Sequence, residues 1–453
     1  MNLPKTVVIS RLWGACLLVM TGLVIVSPVM GEDEWPEFRG PTGQGIVAGP
    51  MPIATKWSET ENVVWKTSVP GEGHSSPVIS GHQIWLTNAV VAQLTPEQEK
   101  EKLKAQPNPK SLKLAGELTL SALCYDTETG KELSHVILFV IADPAPKHAL
   151  NSYASPTPII HHGRLYCHFG SYGTACVDTK TNKVVWTNQE FHVDHMNGPG
   201  STPVLWKDLL ICHFDGADKQ FITAFSTVDG HVVWKTDRSG QLQPNPDQQK
   251  SYATPLIVEH QGHPVVISPA ADWVYGYDPE TGKELWRINY GKLGYSCVPR
   301  PVVKDKIAYI CTSFNKSRLL AIDLDAEGDV SQTNVKWFSD SQIPSKPSPV
   351  IVEDRLYMIS DQGVGSCMNA ESGTEFWRER IPGNYSASPI LAQGQIYFFS
   401  QDGTTTVVRD SGTYEVVSTN KLDDGFMASP AVVDGAMYLR TLTHLYRIED
   451  KQK

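Results

Sequence analysis

The sequence predicts an all-β chain folded as an eight-bladed β-propeller of four-stranded antiparallel blades, closed by its N-terminal strand. Two observations predict it. Eight times a Pro preceded by Ser, Thr or Arg opens a short apolar run: Ser76-Pro77-Val78-Ile79, Ser155-Pro156-Thr157-Pro158, Thr202-Pro203-Val204-Leu205, Thr254-Pro255-Leu256-Ile257, Arg300-Pro301-Val302-Val303, Ser348-Pro349-Val350-Ile351, Ser388-Pro389-Ile390-Leu391 and Ser429-Pro430-Ala431-Val432. The Pro-to-Pro steps are 79, 47, 52, 46, 48, 40 and 41 residues, the period of one small sheet repeated around an axis. The second observation is a turn ending on an aromatic strand, clearest at Asp278-Pro279-Glu280-Thr281-Gly282-Lys283-Glu284-Leu285-Trp286. Asp opens the turn by accepting backbone N–H groups, Gly takes the φ > 0 position, and the Trp packs its strand against a neighbour.

Residues 1–31 read as an export signal, with Lys5 and Arg11 before the apolar stretch Leu12 to Val26 and small residues near Gly31. An uncleaved signal anchor is the alternative. Residues 32–61 are expected to form an arm lying on the ring. Asn62-Val63-Val64-Trp65-Lys66 reads as an outer strand without a blade of its own, so it is assigned to the blade that begins at Pro430, leaving no bare edge. The propeller then spans 62–450. Within it, residues 88–120 lengthen the first step. Thr95-Pro96-Glu97-Gln98 carries an N-cap, a Pro at the first helical position and a Gln at the third, predicting a polar helix ended by Pro107 and Pro109.

Inside each repeat the order is constant: apolar strand, tight turn, second strand, Asp/Gly/Ser loop, third strand, turn, outer strand. Partial copies of the Trp turn occur at Asp178…Asn182…Trp186, Ser226…Gly230…Trp234 and Asn369…Gly373…Trp377. The copy at Asp126…Gly130 has Ser134 in place of Trp, Trp337 follows a longer turn, and Gly412 is followed by Val416.

The chain is acidic, with 39 Lys and Arg against 49 Asp and Glu. It has no basic run interleaved with aromatics, which argues against nucleic acid as a partner. Seven cysteines lie beyond the leader, most among apolar strand residues, and read as small buried fillers. Cys167 and Cys176 flank one loop and are the pair to test for a disulfide.

A propeller binds at the mouth where its inner strands begin. The residues there are His74, Tyr153, Asn197, Tyr252, Tyr295, Arg300 and Tyr385, and the loops add Asp215, Asp272 and Trp273. Such a ring suits a flat polar ligand or a sugar, or else its tyrosines brace neighbouring blades. His192, His195 and Asp215 are metal ligands by type, but their spacing matches no zinc signature. No G-x-S-x-G, P-loop or H-E-x-x-H is present. Asp272 is the candidate base if the protein is an enzyme.

The Asp278 to Trp286 run resembles the tryptophan-docking motif of pyrroloquinoline quinone (PQQ) repeat propellers, which include quinoprotein alcohol dehydrogenases and the outer-membrane assembly factor BamB. Trp35-Pro36-Glu37-Phe38-Arg39-Gly40-Pro41, Gly73-His74-Ser75-Ser76-Pro77, Asp194-His195-Met196-Asn197-Gly198-Pro199-Gly200 and Tyr295-Ser296-Cys297-Val298-Pro299-Arg300-Pro301 are similar to exported PQQ-binding-like β-propeller repeat proteins. The resemblance implies the fold from Trp35 onward. Its dehydrogenases use a vicinal Cys-Cys pair and a Ca²⁺ held by Glu, Asn and Asp. Neither Cys-Cys nor a matching ligand set is found, nor a C-x-x-C-H haem motif. The resulting expectation is an exported, non-catalytic binding scaffold that takes a protein segment or small polar ligand at its mouth. The alternatives are a periplasmic PQQ- and Ca²⁺-dependent alcohol or sugar dehydrogenase and a carbohydrate-binding propeller.

Overall fold

Eight four-stranded antiparallel blades form the ring in the computed structural model, which describes residues 34–49, 51–104, 111–291 and 294–450. The export signal lies outside these residues. The inner strands are Val78–Ser80, Ile159–His161, Val204–Trp206, Leu256–His260, Val302–Lys304, Val350–Val352, Ile390–Ala392 and Ala431–Val433, and number blades 1 to 8. Blade 8 is completed by Val63–Ser68, which pairs antiparallel with His444–Ile448, Ser68 opposite His444. Among the described residues no helix is long and apolar enough to cross a membrane.

Burial is distributed between blades rather than gathered in one centre. One apolar slab joins blades 1 and 2 through Trp85, Leu120, Phe139, Leu165 and Phe169, and another joins blades 5 and 6 through Tyr309, Ile351, Leu356 and Met358. This explains the alternation in each strand: both faces of a middle strand meet a neighbouring blade, so second and third strands are almost wholly apolar.

The recurrent Ser/Thr before Pro proves to be a hydrogen-bonded belt. Ser76 N–H donates to Thr157 Oγ1 (3.0 Å), Thr157 to Thr202 (3.0 Å), and Thr202 to Thr254 (3.2 Å). The belt resumes from Arg300 N–H to Ser348 (2.9 Å), then Ser388 (3.0 Å), Ser429 (2.9 Å) and back to Ser76 (3.1 Å). Seven of the eight blades thus hand a buried N–H to the next blade's hydroxyl, the exception being blade 4, whose neighbour carries Arg300 there. The belt corrects one alignment: blade 2 joins through Thr157-Pro158, 81 residues from Ser76, not through Ser155-Pro156.

The insertion is shorter than its sequence suggests. Gln83–Val91 and Leu118–Asp126 pair along their whole length, so 88–91 and 118–120 extend blade 1. The helix runs Pro96–Lys104 and is capped reciprocally: Thr95 N–H donates to Gln98 Oε1 and Gln98 N–H to Thr95 Oγ1.

The arm is the largest departure. It does not lie on the ring but threads the channel at the end where inner strands turn. Trp35 pairs with Ile79 of blade 1, and Ile160 N–H of blade 2 donates to Pro36. Gln44 receives Val303 N–H of blade 5, and Gly45 and Val47 bracket Leu391 of blade 7. Close packing selects glycine here: a side chain on Gly43 would lie 2.4 Å from Arg300 Nη1.

Candidate functional site

The mouth is built from loops that brace one another. Tyr153, fully buried, donates its hydroxyl to Ala145 O (2.8 Å), Tyr252 to His195 O (2.5 Å), and Tyr385 to Pro382 O (2.9 Å). Asn197 O accepts from His148 N–H and Asn151 Nδ2. Tyr295 is buried edge-on against Phe314. His74 is half-buried, and burial, then the Arg440 and Lys147 charges, lower its pKa to about 3. The hydroxyls of Tyr153, Tyr252 and Tyr385 are therefore committed to loop carbonyls rather than presented to a ligand.

Two expected ligand groups are locked elsewhere. Arg300 stands where the other blades carry the belt hydroxyl. Its side chain donates to Pro255 O (3.1 Å) and Phe38 O (2.6 Å) and pairs with Glu37 (3.2 Å), so it holds the arm. Asp215 is fully buried and accepts both Nε (3.0 Å) and Nη2 (2.8 Å) of Arg238. Burial opposes the Arg238 charge, but the Asp215 carboxylate outweighs it and raises the guanidinium pKa. Arg238 also reaches Ser268 Oγ (2.6 Å), which lies 2.8 Å from His213 Nε2. With Arg238 donating to Ser268, the hydroxyl donates to His213, whose Nδ1–H goes to Ala253 O (3.0 Å). This buried network welds blade 3 to blade 4, and of its members sequence reading proposed Asp215 as a site residue and noted His213 beside it, without Arg238 or Ser268.

The histidine–aspartate set is not assembled. His192 is exposed, His195 Nε2 accepts Ser171 N–H (3.1 Å), and Asp215 is spent on Arg238. Among the described residues no three His, Cys, Asp or Glu side chains converge as metal ligands. Cys167 and Cys176 sit in adjacent strands as free buried thiols.

Asp272 and Trp273 remain. Asp272 is 1% exposed with φ +61°, and neither carboxylate oxygen receives a well-formed hydrogen bond. Burial raises its pKa, and Gln243 opposes this in part. The Trp273 indole N–H donates to Gln241 O (3.0 Å). Gly240 packs onto its ring, Tyr275 stacks beside it (6.2 Å), and Arg287 lies over it (5.5 Å). A quinone stacked on Trp273 does not fit this arrangement.

Besides polar residues such as Asp218, Asn315 and Lys316, the mouth loops hold three large apolar side chains outward. Leu150, Phe314 and Leu442, on mouth loops of blades 1, 5 and 8, are about half exposed (52, 59 and 47%).

Belt, docking tryptophans and closing strand define a propeller of the PQQ-repeat class. A family model described as outer membrane protein assembly factor BamB matches residues 121–344 and 329–415, and the chain belongs to that family. Tetrathionate hydrolase from Acidithiobacillus ferrooxidans is 21% identical over 355 residues, which cover 75% of this chain and 65% of that enzyme's length. Among solved structures, BamB from Moraxella catarrhalis is 14% identical (TM-score 0.50), covering 80% of this chain and 99% of that one. A europium-containing methanol dehydrogenase is 10% identical (TM-score 0.64), covering 93% and 99%. Quinohemoprotein alcohol dehydrogenase from Comamonas testosteroni is 11% identical (TM-score 0.63), covering 93% and 81%. At such identities the structural likeness is one of fold.

Proposed function

We propose that this chain is an exported, non-catalytic scaffold of the cell envelope whose mouth face docks a protein segment. The observation that carries the reading is the division of labour at the mouth. Tyrosines and carboxylates brace the loops from within, while Leu150, Phe314 and Leu442 stand out from them. A preordered face with apolar tips loses little entropy on binding and suits a protein surface better than a small ligand. Membership in the BamB family, whose description names assembly of outer membrane proteins, supports a protein partner. The committed tyrosine hydroxyls weigh against the sugar reading.

A photo-crosslinking residue placed at Phe314 or Leu442 in cells should give discrete adducts, and one at Val228, on the opposite end, should not. Equal labelling of both ends, or none at the mouth, would sink the proposal.

The dehydrogenase reading is favoured by one observation, the unpartnered carboxylate of Asp272 beside Trp273. The covered faces of Trp273 weigh against it. A PQQ titration with Ca²⁺, read by thermal shift and quinone absorbance, is its test. Saturable binding abolished by Asp272→Asn would put this reading first. Incubation with tetrathionate adds an arm suggested by the hydrolase relative.

A further inference from the structure

The channel holds a charge that the protein does not answer. Arg39, carried in by the arm, is 1% exposed with φ +67°. Its Nη2 donates to Pro349 O (2.7 Å), one residue from the belt hydroxyl of Ser348. Nε and Nη1, equally buried, have no hydrogen-bond partner. Beside it stands Arg300, and Glu37 is the one carboxylate paired there, with Arg300. Two guanidinium groups therefore share one acid. Arg238 shows what the same chain does when a buried guanidinium is fully met: Asp215 takes it with both oxygens.

The contrast matters because burying an ion is costly unless a counter-charge and hydrogen bonds replace water. Burial, and then the Arg300 charge, lower the Arg39 pKa to about 9, so it remains a cation at neutral pH. The chain has ten more acidic than basic groups, yet no salt bridge involving Arg39 is formed among the described residues. Charge composition does not explain the omission. The guanidinium is also held in place: Gly45 packs against Nη2, where a side chain would come within 2.6 Å. What remain are Nε–H and Nη1–H, which leave different edges of the guanidinium, Nε–H on the Nη2 side and Nη1 on the Cδ side, so each can serve one anion oxygen.

We propose that Arg39, with Arg300 beside it, is an anion site at the belt of the channel, and that its ligand is a small oxyanion or carboxylate. Arg440 reinforces the attraction. It is 2% exposed, forms no ion pair among the described residues, and gives its Nη1 hydrogen bonds to Ser75 O, Ser75 Oγ and Thr87 O near the same belt. The site does not depend on the docking role proposed above.

The test is a titration of the full chain with sulfate, and separately with succinate, at constant ionic strength and low millimolar concentration. Thermal unfolding is read for the wild type, Arg39→Met and Arg39→Lys. Wild type should show a saturable rise in midpoint of about 3 °C. Arg39→Met should lose the response, and its midpoint without anion should match or exceed that of wild type, because the unanswered charge has gone. Arg39→Lys, which keeps the charge but not the guanidinium's two separate free donors, should need at least about tenfold more anion. Absence of a saturable rise in wild type overturns the site whatever the variants do. An equal rise in wild type and Arg39→Met overturns it too, since general exclusion of the salt would then account for the effect.

Discussion

The seam between blades 7 and 8 and the seam between blades 5 and 6 solve one packing problem with different parts of the chain. At the ordinary seam, Trp337 of blade 5 tilts against Tyr309 of its own blade (6.0 Å). It lies over Gly373 of blade 6 and donates its indole N–H to Ala370 O (3.1 Å). Trp65, Trp186 and Trp377 repeat the Trp–Tyr pair with Tyr438, Tyr166 and Tyr357. Blade 7 has Ser418, opposite Val407, where this Trp belongs, two residues past the Val416 that the turn spacing suggested. There Trp57 of the arm stacks on Tyr397 (6.4 Å), held by its N–H to Asn420 Oδ1 (2.9 Å), and its indole N–H has no partner. The seam therefore requires a buried ring against the tyrosine, and the arm supplies one that the repeat lacks. The polar half of the contact is not replaced.

The largest expected effect tests the equivalence. Trp57→Ala should cost about 3–5 kcal/mol, read as a shift in urea midpoint, because it removes a buried indole, and Trp337→Ala, whose ring is half-buried, somewhat less. A Trp57 variant near wild type would show that the arm merely rests on the ring. Next, Thr202→Val takes the belt acceptor from Thr157 N–H and should cost about 1–3 kcal/mol, while an exposed Thr→Val such as Thr413→Val should cost almost nothing. If both behave alike, the belt does not tie blades together.

Acid should distinguish the histidine seams from the tryptophan seams. His168, packed against Phe214 of the next blade, has its pKa lowered to about 3, by burial first and then by His195. Its folded form stays neutral while the unfolded chain takes a proton below about pH 6.5. The stability is present above that pH and is lost as pH falls toward 3, at up to roughly 1.4 kcal/mol per unit. A pH series should therefore be flatter for His168→Leu between pH 6.5 and 4; parallel curves would remove His168 from the account. The smallest effect is the most specific. Trp337→Phe should cost about 1 kcal/mol more than Trp57→Phe, since only Trp337 loses an indole hydrogen bond.

These seams also show where the sequence was readable. The turn glycines could be found, but their reason was not visible. Gly230, Gly282 and Gly373 lie beneath Trp186, Trp234 and Trp337 of the preceding blades. Blade 1 has Ser134 instead of Trp, and the turn it would have covered carries Asn182, at φ +58°. Asn tolerates the left-handed backbone, and no ring above excludes its side chain. Among the site residues, Tyr153, Tyr252 and Tyr385 bond to carbonyls on loops with no pattern to reveal them. Arg300 looked like a ligand group because it stands where an inner strand begins, and there it also interrupts a run of Ser and Thr. The interruption was real, and its cause was the arm.

Blade number, strand order, closing strand and capped helix all followed from the sequence by itself. Each depends on residues close in the chain or on a period that repeats eight times, and local spacing records such constraints directly. Only the tertiary structure decided that the arm enters the channel, that Trp57 serves blade 7, that Asp215 belongs to Arg238, and that Arg39 stands unanswered. Those contacts join residues up to several hundred positions apart and occur once each. Burial then sets their energy, because an ion or indole N–H acquires its cost only when the completed ring removes water from it.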